Sequence, residues 1–66
     1  MFIKMNDKEI VNLSEVIAIR NLSENRSPNI RIAWLTGTTD NFYFDSDREC
    51  DEKFAEIEAM VCKRDL

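Results

Sequence analysis

Two cysteines, a group of carboxylates near residue 47, and arginine, lysine and aromatic residues at alternating positions are the groups that could do chemistry. Cys50 would be activated if a helix N-terminus lowered its pKa. Its neighbours Glu49, Asp51 and Glu52 oppose that shift, and the chain has no histidine to serve as a base. A packed, inert thiol is the expectation. Cys62 falls off the main apolar stripe and reads as a half-buried thiol. The two cysteines are twelve positions apart, about 18 Å along a helix at about 1.5 Å per residue, too far for a disulfide within one chain. Without histidine they supply only half of the usual zinc ligand set.

Asp40, Asp45, Asp47 and Glu49 raise the question of a hard cation. The regular acidic spacing and central glycine of a calcium loop are missing from them, and helix capping accounts for Asp45, Ser46 and Asp47 without a metal. Paired carboxylates could hydrolyse a substrate only inside a cleft, which so small a core hardly provides. The expectation is a non-enzyme with no cofactor and no metal.

The elements that position these groups follow from apolar spacing. Residues 2–6 read as a strand with Ile3 and Met5 inward and Phe2 and Lys4 outward. A polar turn at Asn6-Asp7-Lys8 leads to a strand over 9–13, a corner at Ser14-Glu15, and a strand over 16–22 with Ile17 and Ile19 inward. The loop from Ser23 to Pro28 carries only turn formers and polar residues. Residues 29–35 alternate cleanly, with Ile30, Ile32 and Trp34 on one side and Arg31 and Ala33 on the other. Gly37 is free to take positive φ in the next turn. The strand over 40–45 turns Phe42 and Phe44 inward and Tyr43 outward, and Arg31 is expected opposite Tyr43. Ser46-Asp47-Arg48-Glu49 matches a capping box opening a helix over 47–64. Cys50, Phe54, Ile57 and Val61 form its apolar stripe, and Glu49 and Lys53 are an i,i+4 pair. The fold class expected is α+β: one curved antiparallel sheet of four to five strands, sealed on one face by a C-terminal helix.

That layering leaves Phe2, Lys4, Ala18, Arg20, Arg31, Ala33 and Tyr43 on the uncovered side. Tyr and Arg are common anchors of protein contact. Interleaved basic and aromatic side chains on strands can also hold single-stranded nucleic acid. An ordinary half-exposed face is the bland alternative. Protein contact is the favoured reading, with Phe2, Lys4, Arg20, Arg31 and Tyr43 as contact residues, because a small sheet with a bare, partly apolar face gains most by pairing. The helix surface bearing Asp51, Glu52, Glu56 and Glu58 reads as a solvated acidic face. The sharper alternative is an inhibitor, encoded by a phage or mobile element, that uses this surface to occupy a nucleic-acid site on a basic partner.

Composition bounds these readings. Sixty-six residues, 44% hydrophobic and 33% charged, describe one small globular domain, residues 1–66. A net charge of −4 argues against a general binder of phosphate backbones. Chains below about 70–80 residues usually need a disulfide, a metal or association to be stable. With the first two set aside, a homo-oligomer is expected. No apolar run reaches the length of a membrane span, and residues 1–6 lack the apolar region of an export signal. With unpaired cysteines, this points to the cytoplasm.

The run Phe2-Ile3-Lys4-Met5-Asn6, then Ile10-Val11-Asn12-Leu13, Val16-Ile17-Ala18-Ile19, Ile30-Arg31-Ile32, Gly37 and Phe42-Tyr43-Phe44-Asp45-Ser46 resembles very short bacterial and phage proteins, the flagellar FlbD-like proteins among them. The chain departs from them at Asp7-Lys8, where Asn-Gly or Asp-Gly is usual, and in its longer acidic helix. The resemblance implies a small cytoplasmic accessory or regulatory protein with no catalytic residues to carry over.

Overall fold

The computed structural model describes residues 1–24 and 26–62. Strand β1 (Phe2–Asn6) pairs antiparallel with β2 (Glu9–Asn12). Asn6 builds the turn between them. Its Oδ1 accepts from the Lys8 amide at 2.8 Å and its Nδ2 donates to Glu9 Oε1 at 2.8 Å. An asparagine bonded to the backbone two residues on shapes a turn without glycine. A register shift between Lys4 and Asn6 accompanies the burial of Met5, which is 2% exposed.

The pairing stops at Asn12, where one continuous sheet was expected. Asn12 Oδ1 accepts from the Ser14 amide at 3.0 Å, and Leu13–Glu15 closes into one turn of 3-10 helix. Local side-chain bonding of this kind competes with a strand ladder. Leu13 drops into the core at the same point. The described residues therefore form two sheets. One is the hairpin β1–β2; the other is a meander of β3 (Val16–Asn21), β4 (Asn29–Trp34) and β5 (Thr39–Tyr43) in the order β3-β4-β5. The Leu35 amide donates to Glu15 O at 2.9 Å, tying the turn to the larger sheet.

Two further expectations are corrected by register. Val16 pairs with Trp34 and Ala18 with Ala33, so Ile17 is the extra residue of a bulge and stands 61% exposed. A bulge takes one residue out of strict alternation, and Val16 and Ile19 fill the half-buried positions instead. Arg31 lies opposite Asn41 on β5, while Tyr43 lies opposite Asn29. The β4–β5 turn sets this pairing. Gly37 adopts φ 98, its amide donates to Trp34 O at 2.9 Å, and the Trp34 amide donates to Thr38 O at 2.9 Å. That closure pairs Ala33 with Thr39, and each later pair follows.

Helix α1 (Asp47–Val61) starts where Ser46 Oγ accepts from the Glu49 amide at 3.2 Å. Lys63 and Arg64, expected in its last turn, lie outside the described residues. The helix packs on β3 and β4. Cys50 and Ile57 are 0% and 1% exposed and meet Ile30, Ile32 and Phe42 in one core with Ile3, Met5, Val11 and Leu13. Phe54 is only half-buried, and Val61 is 45% exposed where an inward position was expected. Val61 lines an open groove beside Ile17, so the apolar stripe outruns the sheet it covers. Lys53 also departs from the expected pair with Glu49. Its Nζ donates to Lys4 O at 2.8 Å and to Glu56 Oε1 at 2.9 Å, clasping the hairpin to the helix.

Ile57→Ala should cost about 2–5 kcal/mol, the range for truncating a fully enclosed branched side chain. Phe54→Ala should cost less, because part of that ring already meets water. Urea denaturation of the two variants checks the order, and a larger loss for Phe54 would contradict this packing.

Candidate functional site

The uncovered face of the three-stranded sheet is built by alternation. Ile30, Ile32 and Phe42 turn inward, so Asn29, Arg31 and Ala33 on β4 turn outward, with Thr39, Asn41 and Tyr43 beside them on β5. On β3, Ala18 and Arg20 point the same way. Across the strands these residues form rows: Ala18–Ala33–Thr39, then Arg20–Arg31–Asn41. At the next step the Leu22 amide donates to Asn29 O at 2.8 Å, and Tyr43 lies opposite Asn29.

Arg20 and Arg31 are direct cross-strand neighbours. The backbone bond between Leu22 and Asn29 two residues along places them at a hydrogen-bonded pair, with Cα atoms about 5.5 Å apart. Like charges directly opposite one another destabilise a sheet, by up to about 1 kcal/mol. Among the described residues no carboxylate lies within ion-pair distance of either guanidinium; the ion pairs there are Arg48–Glu52 at 3.2 Å and Lys53–Glu56 at 2.9 Å, both on the helix. Asp40, the nearest acid along β5, pairs in register with the buried Ile32 and accepts from Trp34 Nε1 at 2.7 Å. It does not neutralise the arginines.

A polar pair stiffens this face. Asn41 Nδ2 donates to Asn29 Oδ1 at 2.7 Å, and Asn29 Nδ2 donates to Ser27 O at 2.7 Å. Asn29 is 6% exposed, so these bonds hold both strands and the loop before β4 in one position. Neither asparagine stood out in the sequence. The available signal was a polar residue at an alternate position of each of two paired strands.

Of the five contact residues expected from sequence, Arg20, Arg31 and Tyr43 share this face, and Tyr43 is 66% exposed. Phe2 and Lys4 are exposed too, but on the separate hairpin sheet. The single continuous surface expected for all five is therefore divided. The acidic residues also differ among themselves. Glu52 and Glu56 carry the helix ion pairs, Glu58 is exposed, and Asp51 is engaged with the end of β3.

That engagement joins the helix start to the sheet. Asn21 Nδ2 donates to Asp51 Oδ1 at 3.0 Å, and Asn21 Oδ1 receives the Ser23 amide at 2.8 Å and the Cys50 thiol at 3.5 Å. Hydrogen bonds from Asn21 and then Ser23 hold the Asp51 carboxyl below its ordinary range. Burial first, and then the charges of Asp51 and Asp47, push the Cys50 thiol up. Cys50 is thereby kept protonated and enclosed, a poor nucleophile. Cys62 is exposed rather than half-buried. Among the described residues no group of three or more Cys, Asp or Glu side chains is arranged to hold a metal ion, and no helix is long and apolar enough to cross a membrane.

The chain matches no family model, no curated protein and no solved structure.

The depressed Asp51 pKa carries a definite sign. The unfolded carboxyl, with an ordinary value of 3.8, takes up its proton at higher pH than the folded one. The contribution of Asp51 is therefore complete above that value and lost as pH falls through the lowered one. Asp51→Asn should be less stable than wild type at neutral pH, and the gap should close in strong acid. Denaturation curves across that range check it; a gap that widens on acidification would contradict the assignment.

Proposed function

We propose that this protein is a small non-enzymatic binding or regulatory module whose working surface is the outer face of the β3-β4-β5 sheet. The observation that carries the reading is the Arg20–Arg31 pair, two like charges set side by side with no carboxylate in reach among the described residues. Such a pair costs stability in the free protein and gains most from an anionic partner, since guanidinium groups bind carboxylates through paired, charge-assisted hydrogen bonds. Tyr43 supplies an exposed aromatic anchor on the same face, and the Asn29–Asn41 bond holds the face rigid. Arg and Tyr are the residue types that dominate the energetics of protein contact.

A single-stranded nucleic acid is less well served. Stacking platforms place several aromatic rings in succession, whereas Tyr43 is the one aromatic residue facing outward on these three strands, and Phe2 belongs to the other sheet. The favoured ligand is a protein surface that presents acidic side chains.

Arg31→Glu/Tyr43→Ala alters exposed positions only, so its stability should stay within about 0.5 kcal/mol of wild type. Proteins captured by the wild type from its own cells should be lost by this variant, as read by mass spectrometry of the captured fractions. An unchanged capture profile from a folded double variant would contradict the proposal.

A further inference from the structure

We infer that the partner of the arginine face is the outer surface of helix α1 on a second copy of this chain; the inference rests on the sheet-face reading above. The chain is acidic by −4, and Asp47, Glu49, Asp51, Glu52, Glu56 and Glu58 concentrate on one helix. The arginine pair and the acidic helix are thus complementary surfaces of a single molecule. They cannot meet within it, because α1 packs on the opposite face of the sheet that carries the arginines. Only between copies can each find the other.

Shape agrees with charge. Beside the Arg20–Arg31 row lies Ala18–Ala33, two small residues that leave the sheet low next to the arginine positions. On the helix, Glu52, Ala55, Glu56 and Ala59 are all exposed, and they fall at i, i+3, i+4 and i+7, one stripe. Two small residues there let the helix approach a sheet closely. Glu52 and Glu56 are separated by about 6 Å of helix rise, near the roughly 5.5 Å between the backbones of the two arginines. Their present partners do not prevent the exchange. The Arg48–Glu52 pair is exposed at both ends, 85% and 66%, and a pair so exposed is weakly held. Glu56 is 54% exposed, whereas its partner Lys53, at 21%, is also held by Lys4 O and can keep that bond when Glu56 turns outward.

The contact is head-to-tail: sheet of one copy against helix of the next. Each added copy leaves one free sheet face and one free helix face, so association proceeds past the dimer or closes into a ring.

The test is the mass in solution, by sedimentation equilibrium, of four forms of the full chain. Wild type should associate at low ionic strength and move towards the monomer as salt is added. Arg20→Glu/Arg31→Glu sets acid against acid, and Glu52→Lys/Glu56→Lys sets base against base. Each should weaken association by about tenfold or more. The variant carrying all four changes reverses the polarity of the contact while keeping the net charge of wild type, and it should associate again. Its recovery separates a specific contact from an effect of net charge or of misfolding. A wild type that stays monomeric at low salt overturns the inference and leaves the sheet-face reading standing on its capture experiment. Association abolished by the arginine changes but indifferent to the glutamate changes overturns the second copy's helix as occupant. Association that survives the arginine changes overturns both.

Discussion

The protein depends on one packing constraint: a single helix must cover the apolar side of a three-stranded sheet. Ile30 and Ile32 are fully enclosed because Ile57 and Cys50 lie over them. Burying such side chains contributes about 1.5–3 kcal/mol each, and a chain of this length has few of them. Nothing else in the described chain could take the place of α1. The small hairpin extends the cover through Ile3, Met5, Val11 and Leu13, held to the helix by the Lys53 ammonium on Lys4 O. With both elements committed to one side, the other side of the sheet is left to water or to a partner.

What occupies that uncovered side is ordered by the same alternation. The period of two that sends Ile30, Ile32 and Phe42 inward places Arg31, Asn41 and Tyr43 outward, and the β3 register brings Arg20 beside Arg31. A sheet selected for stability alone would not set two arginines opposite each other. Meanwhile six of the thirteen acidic residues gather on the helix, and among the described residues none of them pairs with the arginines of the sheet face. Charge segregation of this kind favours encounter between molecules more than it favours the fold of one.

Much of this was legible in the residues. The alternation of Ile30, Ile32 and Trp34, the inward Phe42, the turn at Gly37 and the Ser46 cap all reflect short-range geometry, which a sequence displays directly. Three features did not show. The 3-10 turn at Leu13 divides one sheet into two because an asparagine side chain, Asn12, satisfies a nearby amide; an apolar Leu in that position reads equally well as strand. The bulge that exposes Ile17 depends on where an extra residue is absorbed, which periodicity cannot specify when Val16, Ile17 and Ile19 are all apolar. The register that places Arg31 beside Arg20 and Asn41, away from Tyr43, is set by closure of the β4–β5 turn. Ala18, Arg20, Arg31, Ala33 and Tyr43 were therefore found on the face, while Phe2 and Lys4 were assigned to it on the premise of a continuous sheet. Asn29 and Asn41 were missed because a polar pair is recognised only once its strands are in register.

The most direct measurement is a concentration series of two-dimensional amide NMR spectra at low ionic strength. The account predicts that shifts on concentration are confined to the Ala18–Ala33–Thr39 and Arg20–Arg31–Asn41 rows, Tyr43, and the outer stripe of α1 around Glu52 to Ala59. Shifts centred instead on the groove between Ile17 and Val61, with the arginine rows unmoved, would contradict it.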